Sequence, residues 1–212
     1  MNSNFTQLHP ELTELLPNDL HAFCETAVYQ KEKGERLFAT GTKPVNMFFI
    51  GSGEVILERL GAQGGSAVLQ RTRHGFVGEA SLQSAHYHCD AKVIATSEIT
   101  QVPIKHVRTA MDSDPAFANR WIAMLNREVK RLRLQCERMS FNKVQDRLVH
   151  LLETEGQSGK YPLGSGLKSL AAELGVTHEA LYRCVASLEK EERIVRESGF
   201  LKLINIRENA ND

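Results

Sequence analysis

Residues 166–204 read GLKSLAAELGVTHEALYRCVASLEKEERIVRESGFLKLI, and three hydrophobic patterns run through them. Leu167, Leu170, Ala171 and Leu174 recur at helical spacing and stop at Gly175, which closes a first helix. Thr177 is placed to cap a second helix, whose inward positions are Leu181, Val185 and Leu188. The tail IVRESGFLKLI alternates about Ser198-Gly199, as a small hairpin does. Two short helices joined by a glycine-containing turn make a helix-turn-helix, and the hairpin supplies a wing. In such a unit the early residues of the second helix face a DNA major groove. Here they are Thr177, His178, Glu179, Tyr182 and Arg183, with Ser169 on the first helix as a further expected contact. Glu179 and Arg183 are four apart and share a face; arginine can donate two hydrogen bonds to guanine, and glutamate can accept one from cytosine. Alone, the pair reads better as a surface ion pair worth tenths of a kcal/mol. The cap, turn and wing around it tip the reading toward bases.

The bulk composition sets the frame. The chain has 212 residues, 42% hydrophobic and 25% charged, which is ordinary for a soluble globular protein of two domains. No apolar run approaches the roughly 20 residues of a membrane-spanning helix, and MNSNFTQLHPELTELL lacks the basic start and apolar stretch of a secretory signal. A cytoplasmic protein without membrane contact is expected. The formal net charge is zero. From Ala116 to Arg147, however, Arg120, Arg127, Lys130, Arg131, Arg133, Arg138, Lys143 and Arg147 outnumber Glu128, Glu137 and Asp146. On charge alone this is a solvated helix face. Cys24, Cys89, Cys136 and Cys184 are scattered without a C-x-x-C pair, which gives no zinc ribbon or thioredoxin-like site.

Upstream the texture is different. A short helical lead carries Leu12, Leu15, Leu16, Leu20, Phe23 and Cys24. From Lys33 to Pro103, β-prone runs alternate with Gly34, Gly41, Gly51, Gly53, Gly61, Gly64, Gly65, Gly75 and Gly78. That rhythm predicts an antiparallel roll or barrel. Asp114-Pro115 opens a long helix on which Leu125, Val129, Leu132, Cys136 and Met139 are spaced 4, 3, 4, 3. This is a heptad seam, and it favours pairing with a second copy over packing within one chain. Phe141, Val144, Leu148, Leu151 and Leu152 fall on one face of a following helix, and ETEGQSGKYPLGSG reads as a connection. The expected class is α+β: a β-roll over 1–113, a dimerisation helix over 114–140 and a winged helix-turn-helix over 141–212.

Taken in order, GERLF (34–38) with Gly41, FFIGSGEVIL (48–57), FVGEASL (76–82), the long helix, DRLVHLL (146–152) and LAAELGVTHEALYR (170–183) resemble the Crp/Fnr family of bacterial transcription regulators. The resemblance covers essentially the whole chain. It implies a cyclic-nucleotide-binding-like β-roll, a homodimer, and a palindromic DNA operator with TGA-type half-sites read by an E-x-x-x-R core on Glu179 and Arg183. RNA polymerase is the implied protein partner. His178 and Tyr182 depart from common family choices.

The same resemblance questions the pocket. Gly78, Glu79 and Ser81 keep the cassette that meets the ribose and phosphate in cyclic-nucleotide-binding members. The Arg-Ser pair that holds the phosphate there falls on Cys89 and Asp90, and the purine-contacting Thr-Ser pair falls on Leu132 and Arg133. A phosphate would lose a bidentate cation and face a carboxylate, so cAMP is disfavoured. The cofactor is left open: another effector, no effector, or metal, haem or redox sensing through His86, His88 and Cys89, residue types that suit zinc, copper or haem iron. A sensor acting through protein partners is the rival class. No nucleophile–base–oxyanion set points to an enzyme.

Overall fold

The computed structural model describes residues 8–25, 28–61, 66–164 and 166–204; Gly64 and Gly65, two of the punctuating glycines, lie outside them. The chain divides into two compact units, Met1–Leu125 and Asn126–Asp212.

The first unit opens with α1 (Pro10–Leu15) and α2 (Asn18–Glu25). Its strands are β1 (Val28–Lys31), β2 (Arg36–Phe38), β3 (Asn46–Leu60), β4 (Ser66–Thr72), β5 (Gly75–Val77) and β6 (Asp90–Pro103), followed by α3 (Ile104–Ser113). They form one antiparallel sheet in the order β1-β6-β3-β4, with β2 on β6 and β5 on β3. Strand alternation sorts β3 between two cores. Met47 and Phe49 join Leu12, Leu16, Leu20, Val107 and Trp121 on the helical side. Phe48 and Ile50 join Val55, Leu57, Val77, Tyr87, Cys89, Ala91, Val93 and Ile99 on the other. The long helix α4 (Pro115–Ser140) begins in this unit and plants Phe117 and Trp121, both fully buried, in the helical core.

The β3–β6 ladder shifts register around Gly53, next to the buried Glu54. Glu54 donates its N–H to Ser97 Oγ at 2.9 Å, and its carboxylate pairs with Arg71 and, at 3.3 Å, with Arg73. Gly53 has φ +94°, and a Cβ there would lie 2.3 Å from Ser97 Oγ and 2.4 Å from the Thr96 carbonyl oxygen. Only glycine fits both the left-handed backbone and the close strand.

The second unit contains the remainder of α4, then α5 (Val144–Glu155), β7 (Lys160–Pro162), α6 (Leu167–Glu173), α7 (His178–Lys190), β8 (Ile194–Glu197) and β9 (Phe200–Leu203). Its sheet runs β7-β9-β8, all antiparallel. Leu148, Leu151, Leu152, Leu170, Leu174, Leu181, Val185, Leu188 and Leu201 are each fully buried in one core. Strand β7 lies inside the stretch expected to be a plain connection. Three residues carry no usable period, and Tyr161 becomes a strand residue by pairing with Leu201. Arg147 ties the helices together: it donates to the carbonyls of Phe141 at 2.8 Å and Leu174 at 2.9 Å. Arg138, 1% exposed, pairs with Glu155 and completes that joint.

Replacing Gly53 by alanine is expected to destabilise the protein by about 2–4 kcal/mol, from left-handed strain plus overpacking. A urea-unfolding midpoint equal to that of the wild type would show that the bulge is not constrained as described.

Candidate nucleic-acid interface and effector pocket

Helix α7 owes its orientation to its buried stripe. With Leu181, Val185 and Leu188 turned into the core, His178, Glu179, Tyr182 and Arg183 stand on the exposed side. Thr177 is extended (φ −71°, ψ 152°), and its hydroxyl accepts the Ala180 N–H at 3.2 Å, capping the helix as its sequence position predicts. Glu179 lies in the first turn. Its own N–H and the Thr177 hydroxyl hold its carboxyl below the usual carboxylate range, with smaller help from His178 and Arg183. Glu179 is therefore an anion and Arg183 a cation on one solvent-facing strip, the charge pattern that base edges can read. Thr177 shares that exposure; Ser169 does not, being 9% exposed at the start of α6.

A residue that local reading missed joins this face. Arg196 of β8 places its guanidinium carbon 5.5 Å from the centre of the Tyr182 ring and its Nη2 3.3 Å from Glu189 Oε2. The His178 ring also meets Tyr182 at a steep angle, centroids 5.4 Å apart. Nothing in the spacing of Arg196 announces this contact, because it depends on the wing folding back across α7.

On α4 the expected seam is mostly uncovered. Val129 is 45% and Leu132 37% exposed, and Cys136 is exposed too. Ile122, 51% exposed and three residues before Leu125, extends the same 3,4 spacing by one step; that signal was legible in the sequence. Leu125 is half-buried against the helical core, and Met139 lends its sulfur to Arg147 Nη1 at 4.0 Å. Arg133 is exposed on the same helix.

The cassette begins as expected. Gly78 is left-handed (φ +86°) and starts a single 3-10 turn over Glu79–Ser81, in which Ser81 is 1% exposed. Beyond it, inward and outward residues alternate. Tyr87 and Cys89 are buried, while His86 and His88 are exposed. Both histidines are exposed, whereas Cys89 is buried in the apolar cluster, so the expected His86/His88/Cys89 set does not converge. Among the described residues no group of three such side chains is placed to hold a metal ion. Tyr87 stacks on Phe38 at 4.0 Å with planes 11° apart. Burial pushes the Cys89 thiol up. Asp90 faces its own chain: its carboxylate accepts the Thr40 N–H at 2.6 Å and pairs with Arg36 at 3.4 Å. The Thr40 N–H, ahead of Arg36, holds that carboxyl below its usual range.

A buried thiol whose ionisation is suppressed is a poor nucleophile. An aromatic disulfide reagent is expected to leave Cys24 and Cys89 unmodified in native buffer and to reach both in denaturant. Native labelling of Cys89 would contradict the inward placement.

Among the described residues no helix is long and apolar enough to cross a membrane. Residues 30–114 match the cyclic nucleotide-binding domain family. No curated protein matches the chain. Among solved structures it is similar to FixK2 from Bradyrhizobium japonicum, with 17% identity over 85% of this chain and 93% of that one, and a TM-score of 0.71. It is also similar to a CRP/FNR family transcriptional regulator from Thermus thermophilus, TTHA1359, with 20% identity over 85% and 95% of the two chains and a TM-score of 0.60. A third is CLP, a c-di-GMP responsive global regulator from Xanthomonas campestris, with 16% identity over 84% and 93% and a TM-score of 0.60. At such identities the likeness establishes the fold.

Proposed function

We propose that this chain, which has the fold of the Crp/Fnr transcription regulators, is a homodimeric, sequence-specific DNA-binding regulator. The observation that carries the reading is the exposed, capped start of α7, where anionic Glu179 and cationic Arg183 stand side by side over a buried Leu181–Val185–Leu188 stripe. In a two-fold dimer the two recognition helices reach successive major grooves about 34 Å apart, which calls for a palindromic operator. Glu179 and Arg183 then read TGA-type half-sites, and RNA polymerase is the further partner.

The effector is something other than cAMP, or the protein works without one. Two features support this. Cys89 is sealed in an apolar cluster, and the Asp90 carboxylate is engaged by Thr40 and Arg36. Neither position offers a phosphate the paired cation and hydroxyl it needs.

Footprinting on a selected palindromic site tests the main claim. Glu179→Ala and Arg183→Ala are each expected to weaken specific binding by about 1–3 kcal/mol and to relax preference at one base pair. Wild-type and variant proteins that bind every duplex equally would refute base reading. The exposed apolar stripe of α4 supports the dimer. Leu132→Asp with Val129→Asp is expected to shift sedimentation from dimer to monomer while circular dichroism keeps its helical signal.

A further inference from the structure

The position of Arg196 is not explained by the core of its own unit. It lies on an exposed strand of the wing, yet its guanidinium is drawn onto α7 by two groups at once. Tyr182 and Glu189 are seven residues apart, so they lie on one stripe of the helix two turns, roughly 10.5 Å, apart. Arg196 spans them, one face toward the Tyr182 ring at 5.5 Å and one nitrogen 3.3 Å from Glu189. Tyr182 is 48% exposed and so contributes little as a core residue. Its ring also meets the His178 ring, centroids 5.4 Å apart and planes 69° apart. The result is a run of contacts, His178–Tyr182–Arg196, involving the helix that also carries Glu179 and Arg183.

A guanidinium carries five N–H donors in a planar fork. One aromatic face and one carboxylate oxygen hold it without using the whole fork, so donors are left for an anion from outside. In a winged helix with its recognition helix in a groove, the anion beside that helix is a backbone phosphate. We propose that Tyr182 is a positioning residue that acts through Arg196: it holds the wing cation against the reading face, where Arg196 contacts a DNA phosphate. The proposal rests on the DNA-binding reading above. It differs from base reading by Tyr182, because a phosphate contact is blind to sequence and sensitive to salt.

The test is a set of binding isotherms on the selected palindrome and on a scrambled duplex, each over a series of salt concentrations. The proteins are wild type, Arg196→Ala, Tyr182→Ala, Tyr182→Phe and the double alanine variant, each first shown by thermal unfolding to be folded. Arg196→Ala is expected to weaken both duplexes by roughly three- to tenfold per half-site and to lower the salt slope by about 0.9 per protomer. Tyr182→Ala should match it, the double variant should be no worse than either single one, and Tyr182→Phe, which keeps the ring, should bind like wild type. A base preference altered at one position by Tyr182→Ala would overturn the proposal, as would additive losses in the double variant. An unchanged salt slope in Arg196→Ala would overturn it while leaving the regulator reading intact. Wild-type protein that binds neither duplex would overturn both.

Discussion

The antiparallel pairing of β3 with β6 is the constraint on which the first unit depends. These are its two long strands, and every other strand of the sheet pairs with one of them. Their register decides which side chains face the helices and which face the roll interior, and a one-residue slip would exchange the two sets. It places Ala91 opposite Leu57 and Val93 opposite Val55. Just ahead of β6, which begins at Asp90, the chain bends so that Tyr87 and Cys89 are buried while His86 and His88 are exposed. A histidine pair and a thiol close in sequence make a tempting ligand set, yet the histidines are exposed while the cysteine is buried in the apolar cluster.

In the second unit, burial of a single helical stripe has the corresponding role. Leu181, Val185 and Leu188 commit one side of α7 to the core, and the opposite side becomes a surface whose polar groups point outward from a rigid element. Arg147 of α5 bonds the carbonyl of Phe141, ahead of its own helix, and that of Leu174, in the turn before α7. Rigid support of this kind holds a few exposed side chains in place without a large ordering entropy being lost on contact.

Much of this was legible locally. The alternating runs of the roll, the leucine stripes of α5 to α7, the Thr177 cap and the wing turn at Ser198-Gly199 all express periods of two or 3.6, or turn chemistry, within a few residues. The seam of α4 was legible as well, and Ile122 could have been added to it. Other features were not. Strand β7 is too short to show a period; the tight constraint on Gly53 comes from Ser97 and Thr96 on another strand. Ser169 sits on the helix where a contact was expected, but its depth in the core depends on how α6 packs.

The amino-acid sequence by itself determined the roll's alternating runs, the long helix, the helix-turn-helix, and the placing of Glu179 and Arg183 on one face. Each of these follows from spacing along a single helix or strand. Tertiary structure alone decided that Cys89 is sealed inside, that Asp90 is tied to Thr40 and Arg36, and that Arg196 lies over Tyr182. These are meetings between different elements of the chain. They are set by strand register and by how helices and hairpins close over a shared core, and no local period encodes them.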